Sequence, residues 1–204
     1  MPDGEAELRP ARQGDARAVA SLHARLITEG FLSSLGPRFL HRLYRRIVRS
    51  EDCFVLVAHD AGTPVGFIAG TESLGRLYRR FLVHDGVVAG LSAPVRIVST
   101  LPRVLETLRH GTGEPGAAGA ELLAVAVDPA WRGRHVGARL VDGFLAEVER
   151  RGITRAQVVV GAGNTAAVAM YGRAGFTEAG AFEMHRGTES LVLATPVPAG
   201  GRSA

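Results

Sequence analysis

Lysine is absent from this 204-residue chain, and all 24 of its basic residues are arginine. A lysine Schiff base and a P-loop lysine are therefore excluded. There is one cysteine, Cys53, so no intramolecular disulfide can form, and its place in the apolar run CFVLVA reads as a buried strand position rather than a catalytic thiol. Aromatic residues make up only 6%, without a stacking platform or a recognised reading motif, so no nucleic-acid partner is expected. No apolar run reaches the roughly 18 residues of a membrane-spanning helix. The opening MPDGEAELRP also lacks the basic and then apolar regions of a secretory signal. These absences predict a cytoplasmic protein with no membrane partner; no unit repeats along the chain, and no metal is expected.

What is present is a hydrophobic fraction of 46%, enough to bury a sizeable core in a single domain over residues 1–204. The net charge of +4 is unevenly placed, with 15 arginines against 11 acids in residues 1–110 and nine of each in residues 111–204. Any electropositive surface belongs mainly to the first half.

Leu8 to Ala11 reads as a short strand, and Val19, Leu22, Leu26 and Ile27 recur at helical spacing after Gly14 and Asp15. A second helix begins at Pro37 and runs to about Arg49. Arg38, Arg42, Arg45 and Arg49 share one face of it and Phe39, Leu43 and Ile47 another. A solvated arginine face over a buried stripe is the preferred reading, with phosphate binding as the alternative. CFVLVAH and TPVGFIAGT, joined by Asp60 to Gly62, read as an antiparallel pair. A helical insertion follows at about 72–110, with apolar residues that offer a surface for a homodimer. A flexible glycine-rich loop covers 111–120, and a disordered tail is expected at about 197–204. ELLAVAVDP is the strongest strand pattern. After it come a long helix containing Val136, Leu140, Phe144 and Val148, the strand AQVVV, a short helix over Ala166 to Ala174, and strands near Ala181 to His185 and Ser190 to Thr195.

Two turns carry candidate chemistry. Gly161 to Ala166 spells G-x-G-x-x-A, which could open a dinucleotide fold, but only 41 residues follow Gly163 and the next helix is short. The other turn, Arg132-Gly133-Arg134-His135-Val136-Gly137-Ala138, joins the strongest strand to the long helix. A helix start offers unsatisfied N–H groups and the positive end of its dipole, and two guanidinium groups add charge-assisted donors. Arginine opposes the helix dipole there, and an anion in the loop would remove that conflict. Such a loop suits a pyrophosphate.

With Arg132 and Gly137 at the ends of an Arg-x-x-Gly-x-Gly/Ala-type loop, and Asn164, Tyr171, Gly175 and Phe176 following in order, the chain resembles the GCN5-related N-acetyltransferase (GNAT) family. His135 stands where that family usually has its first glycine. The resemblance implies an α/β acyl-CoA N-acyltransferase fold, with a central mixed, mostly antiparallel sheet flanked by helices. It implies acetyl-CoA as co-substrate, with its pyrophosphate on the Arg132–Ala138 loop and Asn164 bonding the pantetheine arm. Val125 and Val127 would pair with that arm as an added strand, and backbone N–H groups around Val125 would polarise the thioester carbonyl. Tyr171 would sit beside the sulfur as the acid. Glu121 is the candidate base, placed by simple alternation on the face of Leu123, Val125 and Val127; a solvated strand start is its other reading. Glu183 and His185 are reserve candidates. The expected reaction is direct acetyl transfer to a primary amine of a small molecule, such as an amino sugar or nucleotide sugar. A protein or peptide amine and a non-catalytic CoA-binding module are the alternatives, and Gly30 to Pro37 would border the acceptor.

Overall fold

The computed structural model describes residues 5–27, 36–77, 119–184 and 188–198. In chain order these form β1 (Glu7–Pro10), α1 (Ala16–Leu26), α2 (Pro37–Ile47), β2 (Cys53–Asp60), β3 (Thr63–Thr71), β4 (Ala120–Val127), α3 (Val136–Arg150), β5 (Arg155–Gly161), α4 (Thr165–Arg173), β6 (Thr177–Met184) and β7 (Thr188–Pro196). One sheet holds all seven strands in the order β1-β2-β3-β4-β5-β7-β6. Every neighbouring pair is antiparallel except β4 and β5, which run parallel. This is the mixed, mostly antiparallel sheet that the resemblance implied. Most of the expected insertion, the glycine-rich loop up to residue 118, the tail beyond residue 198, most of the acceptor-bordering segment and His185 lie outside the described residues.

Nearly every residue of β2 and β3 is buried, because helices cover both faces of the sheet. Their hairpin turns at Ala61 and Gly62, which both have positive φ as a tight two-residue turn requires. On one face Val19 and Leu22 of α1 and Leu40, Leu43, Tyr44 and Ile47 of α2 meet Val55, Val57, Phe67 and Ala69. On the other face Val136, Leu140, Val141, Phe144 and Val148 of α3 meet Phe54, Leu56, Ile68, Leu122 and Val158. Gly70 lets the second layer close: a Cβ there would lie 2.6 Å from the Phe144 ring and 2.7 Å from the Phe54 ring.

Between β3 and β4 the register slips by one residue. Ala69 faces Ala124 and Gly70 faces Leu122, so Leu123 is left over as a bulge. This overturns the face assigned to Glu121 by simple alternation. Ala120 and Leu122 pack into the α3 layer before the bulge, and Val125 and Val127 pack there after it. Glu121 faces the α1–α2 layer instead, on the side of Leu123, Ala124 and Ala126, with Thr71 opposite it on β3. An extra residue inverts the period-2 pattern, and one sequence alone does not reveal where it falls.

Candidate active site

β4 and β5 pair only at Ala120, Glu121 and Leu122 against Ala156, Gln157 and Val158. Beyond Leu122 the parallel strands part, and β5 continues with β7 on its other side. The bulge sits where they separate, which is where its added bend and twist act. Asp128 N–H bonds Val65 O on β3 at 2.8 Å. Alternation along β4 therefore turns the N–H groups of Val125 and Val127 to the opposite edge, into the crevice. An extended chain could add there as a strand.

At the mouth of the crevice, Asp128 accepts from Ala130 N at 3.1 Å and starts a short 3-10 turn ending at buried Trp131. Arg132, Gly133, Arg134 and His135 follow as an exposed loop. The Arg134 guanidinium lies 5.2 Å from the centre of the Trp131 ring. Gly133 has φ 75°, which glycine adopts freely, and His135 is left-handed at φ 59° and ψ 9°, as the family's usual glycine at this point suggests. A non-glycine residue in that conformation costs roughly 1–2 kcal/mol. α3 then begins with no side-chain cap and no acid in its first turn, so the N–H groups of Val136, Gly137 and Ala138 point out of the helix start. A Cβ on Gly137 would meet Met170 Sδ at 3.1 Å, so the loop packs tightly against α4.

Asn164 is exposed at the N-terminus of α4, where its Oδ1 accepts from Ala167 N at 3.2 Å. Its amide NH₂ group remains to donate. Tyr171 is only 3% exposed and stands against Phe176, with ring centres 5.6 Å apart. Burial pushes its phenol above the ordinary range, so at neutral pH it is a proton donor and not a base. Its hydroxyl has no hydrogen-bond partner among the described residues.

Glu121 lies at the inner end of the crevice, on the last paired stretch of β4. Burial pushes its carboxyl up to about 7, and a 3.4 Å hydrogen bond from Gln157 Nε2 works weakly against that rise. Glu121 and Tyr171 belong to opposite layers of the sheet, with no contact between them. Among the described residues no group of three or more His, Cys, Asp or Glu is placed to hold a metal ion, and no helix is long and apolar enough to cross a membrane.

The other glycine turn gives no support to a dinucleotide fold. Neither Gly161 nor Gly163 has positive φ, and a Cβ added at either would meet nothing within 4 Å. The close approach that makes such glycines necessary is missing, and the sheet is not doubly wound.

A family model described as acetyltransferase (GNAT) family matches residues 19–176. The chain belongs to the GNAT acetyltransferase family. GNAT members are acetyl-CoA-dependent N-acetyltransferases. A 60-residue segment is 38% identical to the ribosomal protein bS18-alanine N-acetyltransferase of Escherichia coli strain K12 and 40% identical to that of Salmonella typhimurium strain LT2. The segment is 29% of this chain and spans 40% of the length of those relatives. The crystal structure of the E. coli ribosomal-protein-S18-alanine N-acetyltransferase superposes with a TM-score of 0.62 at 17% identity, covering 98% of both chains. An acetyltransferase of Salmonella typhimurium solved with its cofactor acetyl-CoA gives 0.64 at 14% identity, covering 96% of this chain and 95% of its own.

Three residues around this GNAT site escape sequence reasoning. Gln157 touches the candidate base, Trp131 supports Arg134, and Arg25 of α1 bonds Asp128 at 2.7 Å across 103 positions. The first two lie inside segments that were correctly read as a strand and a turn, yet their partners are fixed by pairing and packing. The Arg25–Asp128 contact leaves no local signal.

Proposed function

We propose that this enzyme moves the acetyl group of acetyl-CoA to the α-amino group at a polypeptide N-terminus, with Glu121 as base and Tyr171 as acid. Acetyl-CoA supplies the activated thioester. The ammonium gives a proton to Glu121, the neutral amine nitrogen then bonds to the carbonyl carbon, the C–S bond breaks as the Tyr171 hydroxyl protonates the departing thiolate, and the second proton lost by the nitrogen as the amide forms restores the Tyr171 hydroxyl. Arg132, Arg134 and the amides of Gly133, His135, Val136, Gly137 and Ala138 would hold the pyrophosphate. The N–H groups of Val125 and Val127, with the Asn164 side-chain amide, would align the pantetheine arm.

The observation that counts against a lysine acceptor is the Glu121 carboxyl, whose pKa near 7 is set by burial at the inner end of the crevice. An α-ammonium loses its proton near pH 8 and a lysine ammonium near 10.4. Transfer to Glu121 is therefore uphill by roughly 1.4 kcal/mol from an α-amine and by roughly 4–5 kcal/mol from a lysine. The two bS18-alanine N-acetyltransferase relatives support the same choice of amine. The pKa comparison counts against lysine alone; a protein N-terminus is put ahead of the amino sugar, the first choice from the sequence, on the strength of these relatives.

The test is CoA release with three acceptors: a peptide beginning with alanine, the same peptide blocked at its N-terminus and carrying an internal lysine, and glucosamine. Turnover of the first alone is expected. Turnover of glucosamine alone would restore the small-molecule reading, and acetyl-CoA binding without any turnover would make this a regulatory module.

A further inference from the structure

We propose that Gln157 is a positioning residue for the reaction: its side-chain amide holds one oxygen of the Glu121 carboxylate and leaves the other to take the proton of the amine. The inference rests on Glu121 as the base, as proposed above. Glu121 of β4 and Gln157 of β5 stand side by side in parallel register, so their side chains share a face of the sheet. That face follows from the residues flanking each of them. Ala120 and Leu122, like Ala156 and Val158, are buried in the α3 layer, so Glu121 and Gln157 both turn to the α1–α2 side. There Gln157 Nε2 donates to Glu121 Oε2 at 3.4 Å, a long bond.

The other polar neighbours on this face are engaged elsewhere. Thr71 lies opposite Glu121 on β3, and its hydroxyl donates to Asp52 O at 3.1 Å and accepts from Ser73 N–H at 3.3 Å and from the Cys53 thiol at 3.5 Å. Glu72, the next residue, pairs with Arg151 at 2.6 Å. Within the α1–α2 layer the His23 ring and the Tyr44 hydroxyl bond each other at 2.7 Å. Among the described residues no ion pair reaches Glu121, and Gln157 is the one side chain that bonds its carboxylate. Burial carries that carboxyl up to about 7, and Gln157 is what acts against the rise.

The position also leaves room for an amine. Among the described residues the α1–α2 core takes in side chains of β2, β3 and β4 but none of β5. Glu121, Gln157 and Val159 are each half-buried. Glu121 therefore stands where the part of the sheet covered by these helices gives way to a part they leave open, with Gln157 on the open side. The neutrality of the amide matters here. A guanidinium at this place would hold the carboxylate as firmly but would weaken its hold on a proton, whereas a neutral donor orients it and leaves it basic.

The test is Gln157→Met, which keeps the length of the side chain and removes the donor, made in the wild type and in Glu121→Gln. In kcat/KM against pH, read by CoA release with the alanine peptide, the midpoint near 7 should rise by about 0.5–1 pH unit, about a 3- to 10-fold loss of rate at pH 6. Gln157→Lys, whose ammonium favours the charged carboxylate, should move the midpoint the other way. Melting curves read the same contact without using the reaction. Losing the donor lifts the folded-state pKa further above the unfolded one, so the wild type's advantage over Gln157→Met should grow from pH 5 to pH 9, by about 2–5 °C in melting temperature. In the Glu121→Gln background the pH-dependent part of both effects should vanish. If Gln157→Met leaves both the midpoint and the pH dependence of melting unmoved while Glu121→Gln abolishes the limb, the proposal is overturned and Glu121 remains the base. If melting responds as expected but Glu121→Gln leaves the rate profile intact, the contact exists, the base is another group, and the positioning role falls with it.

Discussion

Replacing Glu121 by glutamine should make the protein more stable and less active, and the two effects should share one pH dependence. Burial carries the carboxyl from 4.5 to about 7. Below pH 4.5 the folded and unfolded chains both hold the proton, so the residue then contributes nothing. Between pH 4.5 and 7 the unfolded chain releases its proton while the folded chain keeps it, and stability falls as pH rises. Above pH 7 the full penalty of about 3 kcal/mol is present. Glutamine keeps the shape and an acceptor for Gln157 but carries no charge. In a domain of this size the variant should melt about 6–12 °C above the wild type at pH 8. At pH 5 the stability difference should shrink to below about 1 kcal/mol. Over the same range kcat/KM should fall by about 100-fold or more, and the limb with a midpoint near 7 should vanish, leaving the amine's own ionisation. Melts at both pH values and a pH–rate profile read both effects. A stability difference independent of pH, together with an unaltered profile, would remove Glu121 from the mechanism and show that water reaches its carboxyl.

Four further outcomes follow from the site and its support. His135→Gly relieves a left-handed residue at φ 59° and adds the backbone entropy of glycine, so the net gain should be about 0.5–1 kcal/mol, read as a higher melting temperature. Arg132→Ala should weaken acetyl-CoA binding roughly 10- to 100-fold in calorimetric titration, the loss of a charged hydrogen bond, with NAD showing no binding in either protein. Tyr171→Phe should lower kcat by about 100-fold, read by CoA release, while leaving acetyl-CoA affinity close to the wild-type value. Gly70→Ala would push into the Phe54 and Phe144 rings and should lower stability by about 1–3 kcal/mol, read by urea unfolding.

Sequence legibility tracked how local each signal was. β3 reads at its observed ends, Thr63 and Thr71, because a turn and a change of pattern bound it. The helix starting at Pro37 was legible for the same reason, and its end fell at Ile47 instead of near Arg49 because arginines at a helix C-terminus do not mark where the last turn stops. The loop at Arg132 was legible because glycine and arginine at a helix start have few other uses. The left-handed backbone at His135 belongs to the same local class, since the departure from a glycine pattern pointed to it. Arg25 with Asp128 and Gln157 with Glu121 were not legible, because the partners are 103 and 36 positions apart and meet only once α1 lies on the sheet and β5 pairs with β4.

The bulge at Leu123 links these two kinds of information. Strand alternation is a local rule, but its phase is set by the partner strand, and here one unpaired residue on β4 reverses it. Without the bulge, Glu121 would share a face with Val125 and Val127, and the candidate base would stand in the same layer as Tyr171. With it, Glu121, the proposed base, faces α1 and α2, while Tyr171, the proposed acid, packs in the α3 layer. Removing the extra residue provides a structural test. Deleting Leu123 should restore continuous β3–β4 pairing and turn Glu121 into the α3 layer, an unpaired carboxylate in an apolar core. Such a protein should lose activity and be least stable above pH 7, whereas a deletion variant as active as the wild type would show that the bulge does not organise the site.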